Sequence, residues 1–89
     1  MNALSHFEPQ TAKRAAEILA MRRSKTGAEA IGDAFVNRAD LDPIMARSFI
    51  RCIAVILGQE DADVAGELNK RGNFRSAVAS RIVEPMLQS

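Results

Sequence analysis

The sequence predicts an all-α fold. We expect one compact domain over residues 1–89, with about five short helices packed around a central apolar helix at 44–57. Apolar residues make up 47% of the chain, yet only four residues are aromatic, all of them Phe. A core of Ala, Ile, Leu, Val and Met suits close helix packing better than a β-sheet. Apolar residues also recur at helical spacing, and no segment alternates convincingly with period two.

Capping-box spacings predict where the first two helices begin. Ser5 and Glu8 have this spacing before the first helix, and Thr26 and Glu29 repeat it before the second. Pro9 falls in the first turn, where its missing N–H costs little. The apolar stripes of these helices are Ala12, Ala15, Ala16, Ile18 and Leu19, then Ile31, Ala34 and Phe35.

Gly32 interrupts the second helix. A glycine inside a helix costs about 1 kcal/mol relative to alanine. We therefore expect another backbone to approach closely at this position. The segment 37–40 is expected to end the helix.

The third helix has the clearest start in the chain. Asp42 is the expected N-cap and Pro43 the first helical residue. The segment 44–57 is apolar nearly all round, which is typical of a buried helix. Gly58 is expected to end it.

A helix-turn-helix-like hairpin is predicted at 61–83. The fourth helix covers 61–71 and ends at Gly72 in a left-handed cap. Asn73 is expected to cap the fifth helix, and Pro85 to stop it near Val83. The residues expected to be buried are Val64, Ala65 and Leu68, then Phe74, Ala77, Val78, Ile82 and, at the edges of that face, Ala79 and Val83.

The composition argues against several functions. Cys52 is the only cysteine, so no internal disulfide can form, and its apolar surroundings predict a small buried side chain. His6 is the only histidine and has no nucleophile nearby in sequence, so we expect no catalytic site. Cys/His metal sites are excluded by count. We therefore expect no metal, no cofactor, no membrane span and a cytoplasmic location.

Read as a helix-turn-helix, the hairpin departs from the simple motif. Placing Ala65 at the fifth position puts Asn69 where the turn glycine belongs, and Gly72 comes three residues late. With a longer turn, Arg and Asn side chains could still read base edges. The candidate contacts with nucleic acid or another partner are Arg71, Asn73, Arg75, Ser76 and Ser80. A second candidate is the basic patch of Arg22, Arg23 and Lys25.

The nine residues 64–72, VAGELNKRG, resemble the IAxxLNxRG segment in the DNA-binding region of the large serine recombinases. The resemblance implies DNA contacts from this corner. The Gly- and Trp-containing continuation of that family is absent, so the likeness is one of a helix hairpin and not of family membership. Residues 61–89 hold four basic and four acidic side chains, a balance that does not favour phosphate binding.

The leading functional hypothesis is a small noncatalytic regulatory or assembly protein acting by protein–protein interaction, as an adaptor, inhibitor or subunit, with a protein partner or self-association. The alternative is a sequence-specific DNA-binding regulator that uses 61–83. Apolar residues near the ends of the chain could extend a partner surface or cover the core: Met1, Leu4, Phe7, Met86 and Leu87.

Overall fold

The computed structural model describes residues 3–88, and for Ala3 only the backbone. These residues form a short 3-10 helix at Ala3–Ser5 followed by five α-helices, and they contain no strand. The α-helices are α1 Pro9–Met21, α2 Lys25–Asn37, α3 Pro43–Leu57, α4 Asp61–Arg71 and α5 Ala77–Gln88. The predicted all-α class and the number of helices are therefore confirmed.

The predicted caps of α3 are both present. The Asp42 carboxylate accepts a hydrogen bond from the backbone N–H of Met45 at 2.8 Å, and Pro43 is the first helical residue. Gly58 ends the helix with a left-handed backbone at φ 65. This conformation suits glycine because it has no Cβ to clash with the following carbonyl.

The predicted starts of α1 and α2 are wrong. Ser5 lies in the 3-10 helix, and α1 begins only at Pro9, without a side-chain cap. The reason is that proline disfavours helical geometry in the preceding residue, and Glu8 is extended (ψ 153). Before α2, the Ser24 hydroxyl accepts a hydrogen bond from the Gly27 N–H at 3.0 Å. Ser24 therefore takes the capping position predicted for Thr26, which lies inside the helix.

The start of α5 also differs from the prediction. Asn73 has a left-handed backbone (φ 55), and α5 begins only at Ala77, after a linker at 72–76. Two hydrogen bonds to other parts of the chain keep this linker from forming a helix. The Arg75 N–H donates to the Val36 carbonyl at 3.0 Å, and the Ser76 hydroxyl donates to the Leu41 carbonyl at 3.3 Å. Phe74 consequently lies in the linker, half-buried.

At its other end, α5 passes through Pro85 and continues to Gln88, so the predicted stop near Val83 is wrong. Met86 packs against the core. The Leu87 side chain lies over Gly66 of α4. Its Cδ2 is 3.7 Å from the position that a Cβ on Gly66 would occupy. These apolar contacts offset the hydrogen bond that proline cannot donate.

The helix α3 contacts all four other α-helices and contributes much of the core. The largest fully buried side chains are Phe35, Phe49, Ile31, Met45, Ile50 and Val83. However, α3 is not buried on every side. One face holds the exposed Arg47 and Arg51, with Ile44 68% exposed and Val55 42% exposed. We expected α3 to be buried on all sides because its sequence is apolar, but the neighbouring helices cover only part of its circumference.

Candidate functional site: a groove between α2 and α4

An open groove of about 530 Å³ separates α2 from α4 above α3. Each wall is a stripe of residues at i, i+3, i+4 and i+7, which share one face of a helix. The α2 wall is Lys25, Ala28, Glu29 and Gly32, and the α4 wall is Val64, Glu67, Leu68 and Arg71. The remaining lining residues are Ile53 and Leu57 from α3 and Gln59.

The floor of the groove is apolar. Ile53, Val64 and Leu68 are each 5% exposed or less, so they belong to the core as well as to the groove. Leu57 is 44% exposed at the end of α3. Ala28 and Gly32 are the small residues of the α2 wall, and both are buried.

Four charged side chains line the groove above its apolar floor. Lys25 and Glu29 are one turn apart on α2, and Glu67 and Arg71 are one turn apart on α4. All four are exposed, and their formal charges sum to zero. The groove therefore carries both signs of charge, without a net field toward anions or cations.

Arg71 closes one end of the groove. Its Nη2 donates to Oδ1 of Asp33 on α2 at 2.5 Å, and both side chains are close to half exposed. Its Nη1 lies 3.0 Å from the position that a Cβ on Gly32 would occupy. The close neighbour of Gly32 is thus a guanidinium, and not the backbone that we expected.

The five residues predicted to contact nucleic acid or another partner do not lie together in the structure. Arg71 is paired with Asp33, and Ser76 is buried with its hydroxyl bonded to the Leu41 carbonyl. Asn73 and Arg75 are exposed, but they lie in the linker before α5. Ser80 is half-buried in α5. The five side chains therefore do not share one face of a helix.

A polar crevice of about 580 Å³ lies at the end of α2. Arg75 and His6 line it together with Asp33 and Asn37. Its most buried polar residue is Arg38, whose side chain donates to the Leu4 carbonyl at 2.6 Å and to both Asp40 oxygens at 2.9 and 3.0 Å. All three donor nitrogens of this guanidinium are satisfied, so Arg38 fastens the 3-10 helix to the end of α2.

The candidate basic patch of Arg22, Arg23 and Lys25 lies at the junction of α1 and α2, and all three side chains are exposed. Arg23 has a left-handed backbone with φ 51. Lys25 also lines the groove, which links this patch to the α2 wall.

Cys52 is buried, as predicted. Burial raises the pKa of its thiol above the ordinary value. A hydrogen bond with Ser48 lowers this pKa by less, and the nearby Glu17 carboxylate raises it slightly. The thiol is therefore protonated, and weakly nucleophilic, at neutral pH.

The apolar residues near the chain ends divide into two groups. Leu4 is buried and Met86 packs on the core, whereas Phe7 is 37% exposed and Leu87 is 42% exposed. Met1 lies outside the described residues. The core-covering interpretation therefore holds for Leu4 and Met86.

Sequence reasoning missed the groove, although two of its residues, Lys25 and Arg71, were candidates for other reasons. A usable signal was present. Ala28 and Gly32 are small residues one turn apart on the same stripe of α2, which is typical of a helix face that neighbouring residues approach closely. Leu57, next to the helix-ending Gly58, is a second signal, because the end of a helix is seldom covered on all sides.

Within residues 3–88, no group of three or more His, Cys, Asp or Glu side chains could hold a metal ion. None of the helices described is both long and apolar enough to cross a membrane. The chain matches no family model, no curated protein and no solved structure.

Proposed function

We propose that this chain is a noncatalytic protein-binding module, acting in regulation or assembly, and that it takes up a segment of a partner protein in the groove between α2 and α4. The observation that carries the proposal is the groove itself. The groove is about two helical turns long and open to solvent, and among the residues that line it the exposed apolar one is Leu57, 44% exposed at its mouth.

Covering the exposed Leu57 side chain favours association. Removing apolar surface from water contributes roughly 25 cal/mol per Å², and contiguous exposed apolar surface often marks an interaction site. The surrounding charges add specificity, because exposed charges mainly select the partner and its orientation. An apolar centre with a polar edge is the usual anatomy of a protein interface.

The same charges make nucleic acid the weaker candidate. Phosphate binding needs unpaired cations facing the backbone. In the groove, Glu29 and Glu67 would face the ligand, and Arg71 is already paired with Asp33. On α5, the exposed Arg81 is accompanied by the exposed Glu84. DNA binding through 61–83 therefore ranks second.

The test is site-specific photo-crosslinking in the full chain within its host cell. A benzoylphenylalanine replacing Leu57 should give a discrete protein adduct, whereas one replacing Val55 should not. Val55 is the matched control because it lies on the same helix, is 42% exposed, and lies outside the groove. The protein identified from the adduct should bind the purified chain, and Leu57→Gln should weaken that binding. Equal labelling from both positions, or none from either, would contradict the proposal.

A further inference from the structure

We infer that the corner between α1 and α2 is a second interaction surface, which binds the headgroups of an anionic lipid bilayer and inserts two apolar side chains among them. The corner consists of six exposed residues: Arg14, Ile18, Met21, Arg22, Arg23 and Lys25. Only Lys25 also lines the groove of the proposed function. The inference therefore adds a site to that function and does not depend on it.

The first observation is that the apolar residues of the corner are exposed. Met21 is 84% exposed, the highest value among the large exposed apolar residues of 3–88, and Ile18 is 49% exposed. They are three residues apart in α1, so they lie on one face of the helix. Side chains this exposed at the end of a helix form a convex tip. Such a tip can enter the headgroup layer of a flat bilayer, whereas a protein partner would need a pocket to enclose it.

The second observation is that cations flank these apolar residues. Arg14 lies two turns before Met21 on the same face of α1, and Arg22 and Arg23 follow directly after it. Arg23 has a left-handed backbone, which turns the chain into α2 and places Lys25 at its first residue. Within residues 3–88, none of these four cations forms a salt bridge. Their charges are therefore free to meet anionic headgroups.

The third observation is the division of charge along the chain. Residues 14–25 hold four basic side chains and one acidic one, whereas the rest of the chain holds eight and ten. The corner is thus positive and the remainder negative, although the net charge is only +1. Two exposed carboxylates border the corner, Glu17 on α1 and Glu29 one turn beyond Lys25. An anionic surface attracts the corner and repels the remainder, which orients the molecule with Met21 toward the lipid.

The apolar residues favour a bilayer over a nucleic acid, which the same cations would attract. On a nucleic acid, Met21 and Ile18 would lie against charged phosphates and gain nothing by leaving water. At a bilayer, the two side chains leave water at the acyl boundary while the cations stay at the level of the headgroups. Exposed apolar side chains among several cations are typical of interfacial anchors. Such a contact requires no membrane-spanning helix.

The experiment is sedimentation of the full chain with vesicles of phosphatidylcholine alone or of an equimolar mixture with phosphatidylserine. The chain should bind the anionic vesicles and not the neutral ones, and added salt should weaken the binding. Met21→Gln should weaken it roughly tenfold, whereas Ile44→Gln should leave it within about twofold. Ile44 is the matched control because it is 68% exposed and lies beside Pro9 and Lys13, at the other end of α1 from Met21.

A matched pair of charge variants tests the cations. Arg22→Gln should weaken binding to the anionic vesicles about fivefold, the effect of one cation near such a surface. Arg81→Gln removes an exposed cation of α5, outside the corner, and should leave the binding within about twofold. Equal losses from the two variants would show that net charge, and not the corner, drives binding, and would overturn the inference.

A third measurement distinguishes insertion from adsorption. The chain contains no tryptophan, so Met21→Trp provides a single fluorophore. Its emission should shift to shorter wavelength with anionic vesicles and be quenched by brominated lipid, whereas the emission of Ile44→Trp should change little. Equal changes at both positions, or no binding to anionic vesicles, would overturn the inference. Binding to a DNA duplex without binding to the vesicles would identify nucleic acid as the ligand and overturn it as well.

Discussion

The two sides of α2 are packed in opposite ways. Toward α1 the contact is closed: a Cβ on Gly27 would lie 3.0 Å from both Cβ and Cδ2 of Leu19. Toward α4 the contact is open, and at Gly32 the near atom is Nη1 at the tip of Arg71. Both glycines lie in one helix and have a neighbour at the same 3.0 Å, but the neighbour of Gly27 is fixed to the α1 backbone, whereas that of Gly32 is the end of a flexible side chain. On the closed side a larger residue would therefore have to move a backbone, whereas on the open side only a side chain would have to move.

The largest expected effect comes from removing a large buried side chain of α2. Phe35 on α2 is fully buried, and its ring meets Phe74 edge-on with centroids 5.6 Å apart. Phe35→Ala should lower the free energy of unfolding by about 3–5 kcal/mol, because it creates a cavity. Urea unfolding followed by circular dichroism measures this change. Phe7→Ala, at a residue 37% exposed, is the control and should change it far less. Equal effects would contradict the burial pattern.

The next largest effect tests the closed side alone. Gly27→Ala should destabilise the protein by about 1–3 kcal/mol, because the new methyl group meets the Cβ of Leu19, which cannot move without its backbone. A double-mutant cycle with Leu19→Ala should recover part of this loss. If the two changes are additive, the contact between these residues does not limit the packing of α1 on α2.

A smaller effect of opposite sign is expected on the open side. Gly32→Ala should stabilise the chain by roughly 0.5–1 kcal/mol, because alanine favours a helix over glycine and the Arg71 guanidinium can move aside. Thermal unfolding of the two variants gives a direct comparison. Gly66→Ala in α4, where the nearest atom is at an ordinary 3.7 Å, should behave similarly. Destabilisation at Gly32 alone would show that the Arg71 side chain is held rigidly and cannot move aside.

The smallest expected effect is a pH dependence at the contact between α1 and α3. Because burial raises the pKa of Cys52 in the folded state, its contribution to stability is complete below the unfolded thiol pKa of about 8.5. Stability then falls as the pH rises through the higher folded value, since the unfolded state loses its proton first. Urea unfolding from pH 7 to 10 should show this decline, and Cys52→Ala should lack that component. Identical pH profiles would contradict the raised pKa.

Local signals predicted both caps of α3 and the bounds of α4, but not the starts of α1, α2 and α5 or the end of α5. Asp42, Pro43 and Gly58 act through bonds and backbone angles within a few residues, so they could be interpreted without tertiary structure. The capping box at Ser5 and Glu8 failed because Pro9, one residue later, excludes helical geometry at Glu8. The predicted cap at Asn73 failed because contacts with Val36 and Leu41, more than thirty residues away in sequence, hold the linker.

The position of the candidate site depends on contacts between residues far apart in sequence even more than the helix boundaries do. Arg71 and Arg75 were grouped by their closeness in sequence, but Arg71 pairs with Asp33 on another helix and Arg75 lines a separate crevice. The groove joins residues from α2, α3 and α4, and no short segment contains them.

The sequence by itself determined the all-helical class, the number of helices, the caps of α3 and the burial of Cys52. These features follow from composition, periodicity and short-range hydrogen bonding, which act within one or two turns. Tertiary structure alone decided which face of α3 meets water, how far α5 continues beyond Pro85, and where the groove opens. Those outcomes depend on which apolar faces of the helices pack against each other, and these contacts join residues far apart in the chain.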